Sequence, residues 1–217
     1  MKFDQKNVFF DFDGVIKESV QIKEKAFEAL FKHHGEEVLT KVRTHHQKHT
    51  GMSRFEKIPL YLSWVSPSCK KEIISKYIEN FSNTVTQKVI DSDWVPGVLK
   101  VLSAKRQNQN YFLVTATPQK EIEYILERLD ILSIFSYVIG APEKKVNGIS
   151  MLIDLFNINP LDALMIGDSS ADYIAADRNK IAFVLRRTSF NHYLQEKLDC
   201  HMINDYTQEN PFKGNAR

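Results

Sequence analysis

Cysteine is scarce in this sequence. Only Cys69 and Cys200 occur among its 217 residues, and they form no Cys-x-x-Cys pair. Two distant cysteines give no sign of a disulfide framework. The N-terminal segment also lacks the apolar stretch that a secretory signal peptide needs. Both features favour a reducing cytoplasm as the location of the protein.

Long apolar runs and a strong charge bias are missing as well. No run approaches the ~18 consecutive apolar residues of a membrane-spanning helix, so we expect a soluble protein with no membrane partner. The net charge is only +2, and the basic residues are scattered apart from short pairs such as Lys70-Lys71, which predicts no nucleic-acid partner. Hydrophobic residues make up 43% of the chain, which is enough for a core. The oligomeric state is not determined by these features.

Short apolar runs bounded by Gly, Pro, Asp or Asn recur along the chain and predict buried strands. They cover residues 7–12, 111–115, 137–140, 162–167 and 180–185. Helical patterns lie between them, for example at 118–130 and 147–157, where apolar residues recur every three or four positions. Strand alternating with helix predicts an α/β fold with a doubly wound, Rossmann-like parallel sheet.

The interval of residues 17–93 has a different pattern. Its helical stretches fall at residues 19–35, 53–65 and 67–85, and no convincing strand accompanies them. We therefore predict an all-helical cap inserted into the α/β core. The core comprises residues 1–16 and 94–206, and residues 207–217 form a loose C-terminal tail.

Polar side chains follow the predicted strands at the points where the strands end. They are Asp11, Asp13, Thr115, Lys144, Lys145 and Asp168. Because ligands bind beyond the carboxyl ends of parallel strands, we expect these side chains to converge. Clustered carboxylates attract a cation, and oxygen ligands without nearby His or Cys favour Mg²⁺. A threonine hydroxyl, turn amides and a lysine suit a phosphoryl group. The sequence thus predicts an Mg²⁺ site for phosphate.

Four motifs in order carry a resemblance to a known family. They are "DFDGV" at 11–15, "LVTAT" at 113–117, a lysine at 144 or 145, and "IGDSSAD" at 166–172. In order and spacing they resemble the motifs of the haloacid dehalogenase-like hydrolase superfamily, and the likeness spans nearly the whole chain. The resemblance implies the branch whose helical cap lies between the first and second motifs, which contains phosphatases and phosphomutases.

The resemblance also implies roles for the acidic residues. Asp11 would be the nucleophile that becomes an aspartyl-phosphate, and Asp13 would transfer protons to the leaving oxygen and from water. Mg²⁺ would be held by Asp11, the backbone carbonyl of Asp13, and Asp168, with Asp172 directly or through water. An acid at position 13 argues against a dehalogenase, because displacement of halide needs no proton.

The phosphate-binding and substrate-binding residues follow from the same resemblance. Thr115, Ala116 and the motif lysine would hold the transferred oxygens. We prefer Lys145, because counting from it places the apolar residues of the next helix inward, but Lys144 stays open. The cap segment "HTGMSRFEKI" resembles a substrate-facing loop, in which Arg54, with Lys57 as a further candidate, would offer positive charge to the substrate.

These expectations lead to one leading function and two alternatives. The leading one is an Mg²⁺-dependent phosphatase of a small phosphorylated metabolite, such as a sugar phosphate or a phosphoglycolate-like acid. A sugar phosphomutase would use the same core, and a receiver-like phospho-acceptor would use similar residues without turnover. We interpret His45, His46 and His49 as the solvated face of a cap helix, because no third zinc ligand is evident beside them.

Overall fold

The computed structural model describes residues 3–207. Most of the predicted tail at 207–217 therefore lies outside the described residues. Six strands form one sheet in this part of the chain: β1 (Asn7–Phe10), β2 (Asn110–Pro118), β3 (Tyr137–Ala141), β4 (Ala163–Gly167), β5 (Ala182–Arg186) and β6 (His201–Ile203). All neighbours pair in parallel in the order β3-β2-β1-β4-β5-β6. The predicted doubly wound α/β fold is confirmed, and β1 lies at the switch point where ligands bind in such sheets.

Residues 17–93, which lie between β1 and β2, form a helical unit. Its helices are α1 (Val20–Phe31), α2 (Glu36–Lys48), α3 (Arg54–Ser63) and α4 (Lys71–Asp91). From 17 to 93, the only β pairing is at Lys17, which forms single bridges with Asp13 and Trp94. The chain thus leaves and re-enters the core through adjacent segments, a geometry that lets a helical unit sit over one edge of the sheet. We call α1–α4 the cap.

Helices cover both faces of the sheet. They are α5 (Val98–Ser103), α6 (Gln119–Arg128), α7 (Lys145–Leu155), α8 (Ser170–Arg178) and α9 (His192–Lys197). Successive side chains of a strand point to opposite faces, so Val8 and Phe10 join α5, α6 and the cap in one apolar cluster, whereas Phe9 joins α7 and α8 in another. A sheet buried on both faces explains why its strands read as continuous apolar runs.

Some predicted elements differ from the structure in their bounds. β1 ends at Phe10 instead of residue 12, because the chain turns at Gly14, whose φ is +72°. β2 continues three residues beyond the predicted end at Thr115. The short β6 and the polar α2 were not predicted from apolar spacing, since α2 buries only Val42 and His46. No helix in the described part is long and apolar enough to cross a membrane.

Candidate active site

Three buried carboxylates meet at the carboxyl edge of the central strands. Asp11 follows β1, Asp168 follows β4, and Asp172 lies in the first turn of α8; each offers an oxygen within 4.8 Å of the others. The backbone N–H of Asp11 donates to the carbonyl of Ile166 at 3.0 Å, which continues the β1–β4 pairing up to the site. The sheet therefore brings Asp11 together with two acids that lie 157 and 161 residues further along the chain.

Lys145, the first residue of α7, is the cation of this cluster. Its Nζ lies 2.8 Å from Asp11 Oδ2 and 2.6 Å from Asp172 Oδ1. The second oxygen of Asp172 accepts from the N–H of Ser169 at 3.1 Å and from its hydroxyl at 2.6 Å. Because both oxygens of Asp172 are engaged, this residue holds Lys145 in place. Lys144, the alternative that the sequence left open, points away: its side chain is 73% exposed and lies 3.5 Å from Glu56.

Burial and crowding shift the charges of the cluster. Burial raises the pKa of Asp11 to about 7, and Asp172 and Asp13 add to this rise, although Lys145 opposes it. The pKa of Asp168 is raised well above its usual range, first by burial and then by Asp11 and Asp172. For Lys145, burial alone would lower the pKa, but Asp11 and Asp172 outweigh it and raise the pKa. The site thus has more buried negative charge than one lysine balances.

A divalent cation fits this arrangement. Asp11 Oδ1 is buried and has no hydrogen-bond partner within residues 3–207. The donors are all carboxylate oxygens, the set preferred by Mg²⁺. Gly14 is needed beside them, because a Cβ at this position would lie 2.4 Å from Asp168 Oδ2. Asp11 and Asp168 are therefore the side chains available to hold a metal, whereas Asp172 is engaged by Lys145 and Ser169.

Asp13 lies in a separate set of hydrogen bonds. Its Oδ1 accepts from the Ser19 hydroxyl at 2.6 Å, and its Oδ2 accepts from Lys23 Nζ and from the Thr117 hydroxyl at 3.2 Å. Lys23 Nζ also donates to Thr117 Oγ1 at 2.8 Å. Burial would raise the pKa of Asp13, but Lys23 and the hydrogen bonds prevail, so the pKa is lowered. The sequence analysis missed these three partners, although Thr117 lies within the "LVTAT" motif.

The predicted phosphate-binding residues lie near the acids. Thr115 is buried in β2, and its hydroxyl accepts from the N–H of Thr117 at 3.2 Å. Ala116 lines a cavity of about 40 Å³ that also contacts Asp11, Asp13 and Asp168. The cap contributes the remaining walls, and its charged or polar residues there are Lys23, His46, Thr50, Arg54 and Lys57. Substrate contact with these residues remains a prediction.

Arg54 reaches the cavity but is already paired. Its Nη1 and Nη2 donate to the two carboxylate oxygens of Glu121 on α6 at 2.8 and 2.6 Å, and Nη1 also donates to the Ser82 hydroxyl at 2.6 Å. The guanidinium also stacks 4.5 Å from the Phe81 ring centre. Glu121 balances the charge of Arg54 in this structure, and a contact between Arg54 and a substrate stays a prediction.

The expected solvated face of cap histidines is wrong for His46. This residue is 3% exposed, and its Nδ1 lies 2.9 Å from Lys57 Nζ. His45 Nδ1 lies 3.1 Å from the Tyr61 hydroxyl, and only His49 is exposed. His45 and His46 lie in α2, and His49 directly follows its last residue. The sequence could not show that Phe27 of α1 and Lys57 of α3 contact His46.

The fold and the residues of this site agree with one family of hydrolases. A sequence model of the haloacid dehalogenase-like hydrolase family matches residues 8–185, and the chain belongs to that family. The match includes the cap as well as the strand ends that carry Asp11, Thr115, Lys145 and Asp168. The predicted family is therefore confirmed.

Two curated proteins have a sequence similar to part of this chain. A phosphoglycolate phosphatase of Vibrio vulnificus is 34% identical over 103 residues, which are 45% of this chain and 45% of the relative. A phosphoglycolate phosphatase of Pseudomonas aeruginosa is 28% identical over 103 residues, 45% of this chain and 38% of the relative. The matched region thus spans less than half of each curated relative.

Solved structures resemble the chain over most of its length. A predicted phosphoglycolate phosphatase from Haemophilus somnus has a TM-score of 0.72 at 21% identity, covering 94% of this chain and 96% of that chain. CbbY from Rhodobacter sphaeroides, in complex with xylulose-1,5-bisphosphate, has a TM-score of 0.74 at 15% identity, with 94% and 96% covered. At such identities the likeness supports the fold.

Proposed function

We propose that the protein is an Mg²⁺-dependent phosphatase that hydrolyses a small phosphomonoester through an aspartyl-phosphate on Asp11. The observation that carries this proposal is the buried carboxylate of Asp11. Lys145 holds one of its oxygens, and the other oxygen has no hydrogen-bond partner among the described residues. Asp11 also lines the cavity between the cap and the core. The names of the relatives, phosphoglycolate phosphatases, support the same reaction.

The chain's own residues divide the work in two steps. Asp11 attacks phosphorus, the P–O bond to the alcohol breaks, and Asp13 gives a proton to the departing oxygen. Water then attacks the aspartyl-phosphate, Asp13 takes its proton, and inorganic phosphate leaves. Lys145, fixed by Asp172, orients Asp11 and faces the transferred oxygens. Mg²⁺ held by Asp11, Asp168 and the carbonyl of Asp13 would supply the positive charge that brings two anions together.

The test is phosphate release from a panel of small phosphomonoesters. We expect turnover with Mg²⁺, its loss with EDTA, and recovery when Mg²⁺ is restored. Asp11→Asn should lower kcat by about 10⁴-fold or more, as loss of a nucleophile does. Asp13→Asn should cost about 10²- to 10⁴-fold, and less for 4-nitrophenyl phosphate, whose leaving group needs little protonation. Release that persists in Asp11→Asn would contradict the proposal.

The same panel separates hydrolysis from transfer. A phosphatase passes the phosphoryl group to water, so inorganic phosphate should match the ester consumed. A sugar phosphomutase would convert one sugar phosphate into another with little release. The ester that is turned over with the highest kcat/KM would identify the substrate class.

A further inference from the structure

Lys57 stands out among the cap residues around the cavity. Its side chain is buried at 1% exposure, beside His46 and 5.4 Å from the centre of the Phe27 ring. Within the described part of the chain Lys57 forms no ion pair with a carboxylate, whereas Lys23 and Arg54 each do. A buried ammonium without a counter-ion is costly, which is unusual outside a binding site.

His46 adds a second unsatisfied group next to it. As an ammonium, Lys57 can only donate, so His46 Nδ1 accepts and the imidazole proton lies on Nε2. That Nε2 is buried and has no hydrogen-bond partner in residues 3–207. Lys57 and His46 both line the cavity that contains Asp11. Lys57 therefore lacks an anionic partner and His46 Nε2 lacks an acceptor, in two adjacent residues that line the cavity.

The other cap cations are committed to protein partners. Arg54 donates to both oxygens of Glu121, and Lys23 pairs with Asp13. A carboxylate therefore already balances the charge of each of these two cations. The free positive charge on the cap side of the cavity is therefore that of Lys57.

We propose that Lys57 and His46 recognise a second anionic group of the substrate, while Arg54 fastens the cap to the core. This inference rests on the proposed phosphatase function and specifies its substrate class. The substrate is a compact phosphomonoester that carries a carboxylate or a second phosphate close to the ester. Lys57, Asp11 and Asp13 line one cavity, which Phe27 and Phe81 of the cap also bound, and a short skeleton is enough to join an ester at the acids to an anion at Lys57. The anion supplies the counter-ion that Lys57 lacks, while His46 positions the amine through Nδ1.

The burial of Lys57 gives the recognition its selectivity. Burial lowers the pKa of Lys57 well below its usual range, and Lys23 adds to that effect, while Asp13 and Glu56 oppose it. An anion beside the amine favours its charged form. A neutral group of the same shape does not, so it leaves the site unsatisfied. Discrimination between an acid and its neutral isostere follows.

Turnover of matched ligand pairs tests the proposal. One pair is phosphoglycolate and its amide, and the other is a short-chain bisphosphate and the corresponding monophosphate alcohol. Lys57→Met should lower kcat/KM for the anionic member of the recognised pair about 10- to 100-fold, the range for a charged hydrogen bond, and change the neutral member little. Lys25→Met, at an exposed position of α1, is the matched control and should change neither. The pair that shows the selective loss identifies carboxylate or phosphate.

Binding and stability provide readouts that do not depend on turnover. In the Asp11→Asn background, calorimetry should show tighter binding of the anionic member than of the neutral one, and Lys57→Met should remove that difference. Lys57→Met should also keep or raise the thermal unfolding midpoint, because it removes an unpaired buried charge. His46→Phe is a second variant, expected to show a smaller loss of the same selectivity.

Failures of the two proposals can be told apart. Equal losses for the anionic and neutral members, or no loss in either Lys57→Met or His46→Phe, would overturn the anion site and leave the phosphatase standing. If wild-type protein releases phosphate from no ester, the proposed function fails. The binding arm alone then decides whether the anion site exists.

Discussion

Asp11 and Asp13 are two residues apart, yet their surroundings give them opposite properties. Burial and neighbouring acids raise the pKa of Asp11 to about 7, whereas Lys23 overcomes burial and lowers the pKa of Asp13. Pairs of titratable groups whose environments separate their pKa values often divide acid–base work between them. With its lowered pKa, Asp13 is ionised in this structure, the form that accepts a proton from water, and it takes up a proton before it protonates the departing oxygen of an ester. For Asp11, the ionised carboxylate is the form that attacks phosphorus, once a cation balances its charge.

At the same scale, His46 predicts a pH-dependent stability. Burial, and then Lys57, lowers the pKa of His46 well below 6.5, so the imidazole is neutral in the folded protein. In the unfolded chain it takes up a proton below about pH 6.5. The contribution of His46 to stability is therefore full above this pH and is lost as the pH falls, by about 2 kcal/mol between pH 6.5 and 5.

Urea denaturation of wild type and His46→Phe at pH 7.5 and pH 5 checks this. The free energy of unfolding should fall more steeply with acid in the wild type than in the variant. Asp11, with a raised pKa, acts in the opposite direction, and His45, whose pKa burial lowers to about 4, acts in the same direction as His46. Both are present in both proteins and cancel in the difference. Parallel falls would show that His46 protonates in the folded state.

At the scale of elements, the cap helix α3 is joined to the core helix α6 by one buried ion pair. The Arg54 and Glu121 side chains are 3% and 10% exposed. Glu121→Gln leaves the guanidinium buried without its counter-ion, so we expect the free energy of unfolding to fall by about 3 kcal/mol. The measurement is urea denaturation at pH 7.

Two further variants make this prediction specific. Glu127→Gln, at an exposed position of the same helix, should change the free energy of unfolding by less than about 0.5 kcal/mol. Arg54→Met combined with Glu121→Met should recover much of the loss, since no charge is then left unpaired. A Glu121→Gln variant as stable as wild type would show that the pair contributes nothing to holding the cap.

At the scale of the whole molecule, Gly51 decides how closely the cap approaches the core. The loop between α2 and α3 lies on the start of α8, and a Cβ at Gly51 would be 2.4 Å from Ser169 Oγ and 2.6 Å from Ala171 Cβ. Gly51→Ala should hold the cap away from the acids and lower kcat/KM about 10- to 100-fold. Steady-state kinetics, with Thr44→Ala on the exposed face of α2 as control, tests this. An unchanged kcat/KM in Gly51→Ala would mean that this contact does not limit closure.

Much of the core followed from local pattern. Strands buried on both faces read as apolar runs, and side chains that follow them share one edge, so Asp11, Thr115, Lys145 and Asp168 could be placed together before any coordinates. The choice of Lys145 over Lys144 rested on helical register, and the buried face of α7 agrees with it. β6 was not predicted, because a strand of three residues is too short to show an alternation of apolar and polar residues.

The amino-acid sequence by itself determined the fold class, the helical insertion and the acids of the strand ends, because each depends on residues within one element or its adjoining turn. Only the tertiary structure decided which cap cations are free. Arg54 meets Glu121 67 residues away, Lys23 meets Thr117 94 residues away, and Lys57 meets His46 between two helices. These pairings depend on how the cap docks, and docking is set by packing across the interface. The spacing of apolar residues within one helix or strand does not predict how the cap docks on the core.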